Sequence, residues 1–280
     1  MTVHRLPTSD GGSLHVVDTG DERAKPIVFV HGITLSSAIW DKQRRDLADR
    51  YRIVTPDLRG HGRSTAGRGA FGLDAMAGDI VTVLEDLDLR DAIVVGHSMG
   101  GIVLGHAVGT RRDVFEARVD GVVFLSSSPG AAVPPVARRA TSALGRLGAR
   151  VGWRLPWYGF PANRVTRAVL RTAFGASPDD ADIEATRALV AATDRATSWQ
   201  CGFAMMEHDA RVTLRDANVR AIVVVGSRDR FTTPARARRL ASLLPGARLE
   251  IVDGAGHQLM LERPDALAAL VDEFAQVPAC

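Results

Sequence analysis

The chain has 280 residues, 46% of them hydrophobic and 24% charged, which suits a globular protein with room for one large α/β domain carrying an insertion or for two small domains. The formal charge is only +3, and although the basic set is nearly all arginine, no dense Lys/Arg run or interleaved aromatic platform marks a nucleic-acid surface. Two cysteines, Cys201 and Cys280, cannot build a disulfide framework, and there is neither a signal-peptide pattern at the amino terminus nor a run approaching a membrane span, so a reducing, cytoplasmic setting is expected.

Taken in order, Leu14 to Val17 reads as a short strand, followed by turn-rich chain from Asp18 to Pro26. Ile27-Val28-Phe29-Val30 is a continuous β-branched and aromatic run of the kind found in the middle of a sheet, and it ends in His31-Gly32-Ile33. Helical spacing from Ala38 to Arg50 leads to a second such run, Ile53 to Pro56, which ends in the glycine-rich, charged loop Asp57 to Ser64. Leu73 to Leu87 is helical again, with Met76, Ile80, Val83, Leu84 and Leu87 on one side. Ala92 to Val95 is a strand, Ile102 to Ala107 suits a helix, and Gly96-His97-Ser98-Met99-Gly100-Gly101 joins them. Further buried-type strands are Gly121 to Leu125, Ala221 to Val225 and Leu249 to Val252, before a last helix from about Pro264.

Strands alternating with helices predict an α/β fold with a doubly wound, mainly parallel sheet, in which ligands sit beyond the carboxyl ends of the strands. From Pro129 to Ala210 the alternation stops: helical patterns are punctuated by proline and glycine, and no strand is clear. About eighty residues between two strands predict a helical cap rather than one long loop. The expected organisation is a core over 1–128 and 211–280 with a cap inserted over 129–210.

Ser98 stands at the tip of the strand-turn-helix, with Gly96 and Gly100 at minus two and plus two, which fits G-x-S-x-G. A strand that reverses directly into a helix strains the tip residue and leaves no room for bulk at either flank. A serine hydroxyl needs a base, and His257 is placed for it, after a strand end in the flexible loop Asp253-Gly254-Ala255-Gly256-His257. The acid that orients the base should follow another strand end, as Asp229 does; Asp253 is its rival, while the Ser126-Ser127-Ser128 that follows Leu125 offers no carboxylate.

These residues resemble the α/β-hydrolase fold family, whose chain order of nucleophile, acid and base is that of Ser98, Asp229 and His257. The resemblance spans the core and implies a serine hydrolase of esterase or lipase type, with the backbone N–H groups of Ile33 and Met99 receiving the oxyanion. It implies a small-molecule ester as substrate and no cofactor. Carbon–carbon bond hydrolysis, thioester cleavage or acyl transfer, and cofactor-free perhydrolysis run on the same machinery, and a non-catalytic ligand-binding protein is the alternative of another class. Serine at position 98 argues against dehalogenase and epoxide-hydrolase chemistry, which would call for aspartate there.

Three other histidines read as structural, His61 packed within its loop, His97 turned away from the nucleophile by alternation and His106 on a helix, while His208, set in the cap near Met205 and Met206, is structural or lines a pocket. No histidine pair has metal-ligand spacing on a helix, and no C-x-x-C or G-x-G-x-x-G opens a metal or dinucleotide site. From Ala131 to Gly175 the chain holds no Asp or Glu but many arginines, among them Arg138, Arg146, Arg154, Arg164, Arg167 and Arg171. Val136, Ala140, Leu144, Leu147 and Val151 form one apolar stripe, and Val165, Val169 and Phe174 another opposite Arg164, Arg167 and Arg171. With Trp153, Trp157, Tyr158 and Phe160 between the two stripes, the segment reads either as a solvated arginine face or as a basic amphipathic element that contacts an anionic membrane or draws anionic or amphiphilic esters to the pocket.

Overall fold

The computed structural model of the chain describes residues 1–68, 71–130, 163–214 and 217–277, and elements are numbered within them. The strands are β1 (Thr2–Pro7), β2 (Ser13–Thr19), β3 (Pro26–Val30), β4 (Arg52–Pro56), β5 (Ala92–His97), β6 (Val119–Leu125), β7 (Ala221–Gly226) and β8 (Arg248–Val252). They form one sheet in the order β1-β2-β4-β3-β5-β6-β7-β8. The pairs β1/β2 and β2/β4 are antiparallel and every later pair is parallel. β1 is an addition to the sequence reading: it is an edge strand whose only buried side chain is Leu6, so it carries no apolar run.

The long apolar runs are explained by burial on both faces of the sheet, because neighbouring side chains of a strand point to opposite sides. Val28, Val30, Val94, Phe124, Val223 and Val225 meet α2 (Leu73–Asp86) and α3 (Met99–Thr110). Ile27, Phe29, Ile93, Val95, Val123 and Leu125 face the other layer, which includes Trp40 and α11 (Pro264–Gln276). Each such burial is worth about 1.5–3 kcal/mol. The helix expected from Ala38 to Arg50 is shorter than its periodicity, a 3-10 turn over Ser37–Trp40 followed by α1 (Asp41–Leu47).

The chain steps from β3 to β4 on one side and then returns to lay β5 on the other side of β3. Between β3 and β5 the winding reverses, and the two strand ends part to leave a crevice. His31-Gly32-Ile33 follows the first of these strands and Ser98 the second, so the topology alone brings them together.

After α4 (Arg112–Arg118) and β6, the described part of the insertion contains α5 (Arg164–Arg171), α6 (Asp180–Ala192), α7 (Arg195–Glu207) and the short α8 (Ala210–Thr213). The three longer helices start at side-chain caps: Asn163 accepts from the Thr166 N–H, Asp179 from Ala181 and Asp194 from Thr197. On α5 the apolar face differs from the expected one. Val165 and Val169 are 71% and 52% exposed, whereas Thr166 is buried and Leu170 packs on the core. Arg167 and Arg171 are not left to solvent alone, since both pair with Asp180 of α6. The stripe from Val136 to Val151, the aromatic residues Trp153 to Phe160 and the arginines from Arg138 to Arg154 lie outside the described residues. No helix among the described residues is long and apolar enough to cross a membrane.

Candidate active site

Ser98 occupies the single residue between β5 and α3 with φ 51° and ψ −113°, a conformation that costs a non-glycine residue about 1–3 kcal/mol. The glycines on either side are required by contact. A Cβ on Gly96 would lie 2.7 Å from the Gly100 carbonyl oxygen and the Gly101 Cα, and one on Gly100 would lie 2.5 Å from the Val30 carbonyl oxygen. The turn is held by the Ser98 N–H, which donates to the Leu125 carbonyl at 2.9 Å, and by Ser127, whose hydroxyl donates to the Ser98 carbonyl at 3.0 Å.

His257 Nε2 stands 3.1 Å from the Ser98 Oγ, and its Nδ1 stands 2.9 Å from Oδ2 of Asp229. A carboxylate only accepts, so Nδ1 carries the proton and Nε2 presents a lone pair to the serine hydroxyl. Asp229 is nearly fully buried but well supplied with donors: Oδ1 takes the Phe231 and Thr232 N–H groups at 2.8 Å, and Oδ2 takes the Thr232 hydroxyl at 2.6 Å. Burial pushes its pKa up, yet the hydrogen bonds from His257 and Thr232 prevail and hold it below the usual carboxylate range. Asp253, the rival acid, instead meets the Ser227 hydroxyl at 3.1 Å and braces the loop.

The Ile33 N–H lies in a peptide whose other end is pinned. His31 Nε2 accepts the Leu58 N–H at 2.9 Å, so its proton is on Nδ1 and is donated to the Gly32 carbonyl at 2.7 Å. No peptide bond among the described residues is cis, so fixing the Gly32 carbonyl toward His31 turns the Ile33 N–H to the opposite side of the peptide plane. Ile33 lines the cavity that holds Ser98. Met99 is the first residue of α3, where N–H groups have no acceptor within the helix.

That cavity has a volume of about 700 Å³ and is walled by Leu35, Leu170, Val190, Met205 and Phe231, among others. The exposed Arg195 is the only permanently charged side chain among the described residues lining it. His97 is buried beside His257, with its Nε2–H donated to the His257 carbonyl at 3.0 Å. Burial, reinforced by the neighbouring His257, pushes its pKa down to about 3, so it is neutral. His61 packs against His31 at 5.2 Å between ring centroids, and burial likewise takes it down to about 3. His106 meets Asp74 at 2.9 Å and faces His208, which is buried away from the cavity.

The structure thus brings together Ser98, His257 and Asp229 from three strand ends, with Ile33 and Met99 flanking the serine. Two supporting residues were not singled out from the sequence. Thr232, three residues after Asp229, has the spacing at which a hydroxyl and N–H return to an aspartate in a turn, a signal available in Asp229-Arg230-Phe231-Thr232. Ser127 gives no such signal, because its partner lies on a different strand end.

An eight-stranded, mostly parallel sheet with a serine at a strained turn beneath a buried histidine defines an α/β-hydrolase fold. Residues 27–270 match the sequence profile of the alpha/beta hydrolase family, and the chain belongs to that family. A non-heme chloroperoxidase of Streptomyces lividans is 30% identical over 282 residues, covering 94% of this chain and 95% of the relative. Among solved structures, an esterase from Exiguobacterium antarcticum superposes with TM-score 0.83 at 19% identity, covering 99% of this chain and all of the other. The enol-lactonase from Burkholderia xenovorans gives TM-score 0.80 at 24% identity, with 99% and 100% covered.

Proposed function

We propose that the protein is a serine hydrolase that cleaves a carboxylic ester of an apolar or amphiphilic substrate through an acyl-enzyme. The observation that carries this reading is the continuous relay Ser98 Oγ, His257, Asp229, at 3.1 and 2.9 Å, opening into an apolar cavity. Ser98 Oγ attacks the acyl carbonyl while His257 Nε2 takes its proton. Asp229 holds the imidazole in the productive tautomer and stabilises the imidazolium. The oxyanion rests on the Ile33 and Met99 N–H groups, and His257 returns the proton to the departing alcohol oxygen. Water, deprotonated by His257, then attacks the acyl carbon, and His257 passes that proton to the departing Ser98 Oγ as the acid is released.

The cavity walls suit an aliphatic or aromatic acyl group, and Arg195 suits a polar end near solvent. In this reading the insertion expected over 129–210 caps a core made of 1–128 and 211–280 through its described residues, since Leu170, Val190 and Met205 wall the cavity; residues 131–162 of the expected cap lie outside the described residues. Hydrolysis of p-nitrophenyl esters from acetyl to long-chain acyl tests it. Turnover with a chain-length optimum, abolished in Ser98→Ala, is expected; no hydrolysis of any ester by the wild type would remove it.

Perhydrolysis at the same acyl-enzyme is a second reading, favoured by the resemblance to the S. lividans chloroperoxidase. Hydrogen peroxide would replace water as the attacking group, so that the acyl group leaves as a peracid. Peracid formation from ester and peroxide, lost in Ser98→Ala, is its signature.

A further inference from the structure

We infer that Glu262 is a positioning residue that ties the loop bearing His257 to the cavity wall. The inference rests on the hydrolase reading above. Glu262 ends the short helix α10 (Leu259–Glu262), five residues after His257. Its Oε2 accepts the Gly175 N–H at 2.7 Å, and its two oxygens share the Gly256 N–H at 3.0 and 3.1 Å. Gly256 immediately precedes the base, and Gly175 belongs to the insertion, two residues after the wall residue Ala173.

The same two segments are joined again on either side of the carboxylate. The His257 N–H donates to the Ala173 carbonyl at 2.7 Å, and the Ala176 N–H donates to the Gly254 carbonyl at 2.9 Å. The backbones run in contact, since a Cβ on Gly175 would lie 2.1 Å from the Gly254 oxygen and one on Gly256 would lie 2.5 Å from the Gly175 nitrogen. A segment with one glycine needed on each side admits no side chain to fix its spacing. The carboxylate sets that spacing instead, because it is the common acceptor of an N–H from each segment.

Carboxylate chemistry is specific to the task. A glutamine offers one acceptor oxygen, and its NH₂ opposes the second N–H; an alanine leaves both without that acceptor. Burial raises the Glu262 pKa against the opposing pull of the two glycine N–H groups, as expected of a carboxylate held between two layers. With the spacing lost, the imidazole moves relative to Ser98, and misplacement on the order of 1 Å costs about a hundredfold in rate.

The test compares Glu262→Ala, Glu262→Gln and the wild type, with kcat expressed per active site titrated by a fluorophosphonate, so that misfolded protein does not count. Expected is a kcat loss of about a hundredfold for alanine and about tenfold for glutamine, with KM changed less than threefold. Gly175→Ala, which spreads the same two backbones from the insertion side, should lower kcat in the same way. A kcat per titrated site within twofold of wild type in Glu262→Gln, whatever its melting temperature, would overturn the inference, and this variant decides if the alanine form does not fold. Absence of any fluorophosphonate adduct on wild-type Ser98 would instead count against the hydrolase reading itself.

Discussion

The two ends of the parallel strands are built from different materials. At the amino ends, charge is answered by charge: Lys25 and Arg220 both pair with Asp120, and Arg52 with Asp18. At the carboxyl ends, buried and partly strained groups gather around Ser98. His31 and His61 pack together, as do His97 and His257, and Thr34, Ser98 and Ser126 all have positive φ. Burial lowers the pKa of His31, His61 and His97, and two of these imidazoles fix backbone groups, His31 accepting the Leu58 N–H and His97 donating to the His257 carbonyl. The amino ends are tied by these ion pairs between strands, and the carboxyl ends combine ion pairs such as Arg59–Asp79 with the hydrogen-bonded imidazoles and the strained Ser98 turn that fix the geometry of the site.

Substitutions at the two ends should therefore differ in what they do to activity. His257→Ala removes the proposed base and should lower kcat by roughly a millionfold, read from ester hydrolysis per folded molecule. Asp229→Asn keeps the shape but lets Nδ1 act as an acceptor, and should lower kcat by roughly ten-thousandfold. Gly100→Ala places a Cβ 2.5 Å from the Val30 oxygen and 2.6 Å from that of His31, both main-chain atoms that cannot step aside. Its expected cost is about 3 kcal/mol in urea unfolding, with activity lost as the turn shifts. At the opposite end, Asp120→Ala leaves Lys25 and Arg220 without their carboxylate and should cost about 2 kcal/mol, with kcat per titrated site within twofold of wild type.

Acid should weaken the histidine-rich end in a defined window. For His61 and His97 the folded pKa, about 3, lies below the unfolded value of 6.5, so the unfolded chain binds more protons between these limits. Stability is full above pH 6.5 and falls as pH drops toward 3, by up to about 1.4 kcal/mol per pH unit for each histidine. Asp229 adds to the loss at the acid end, since its depressed pKa contributes stability that disappears as pH falls through the folded value. Urea midpoints between pH 7 and 4 check the sign: a midpoint that rises on acidification would contradict neutral buried histidines.

The carboxyl end was the more legible of the two. Gly96, Ser98 and Gly100 are a local pattern, since the flanking residues themselves create the tight turn, and Asp229 and His257 follow apolar runs that declare their strand ends. What supports them is not local. Ser127 and Glu262 are ordinary polar residues until a second strand end or the insertion is laid against them. Edge strand β1 hides because one buried Leu6 makes no pattern, and the face of α5 hides because docking of Thr166 and Leu170, rather than the valine stripe, chose its orientation.

The central claim is that Ser98 carries the acyl group during turnover. Wild type and Ser98→Ala, each mixed with a p-nitrophenyl ester and quenched in acid, would be compared by intact mass and peptide mapping. The expected result is a wild-type mass increase equal to the acyl group, located on the peptide containing Ser98 and absent from Ser98→Ala. Ester turnover by the wild type with no adduct, matched within tenfold by Ser98→Ala, would contradict it.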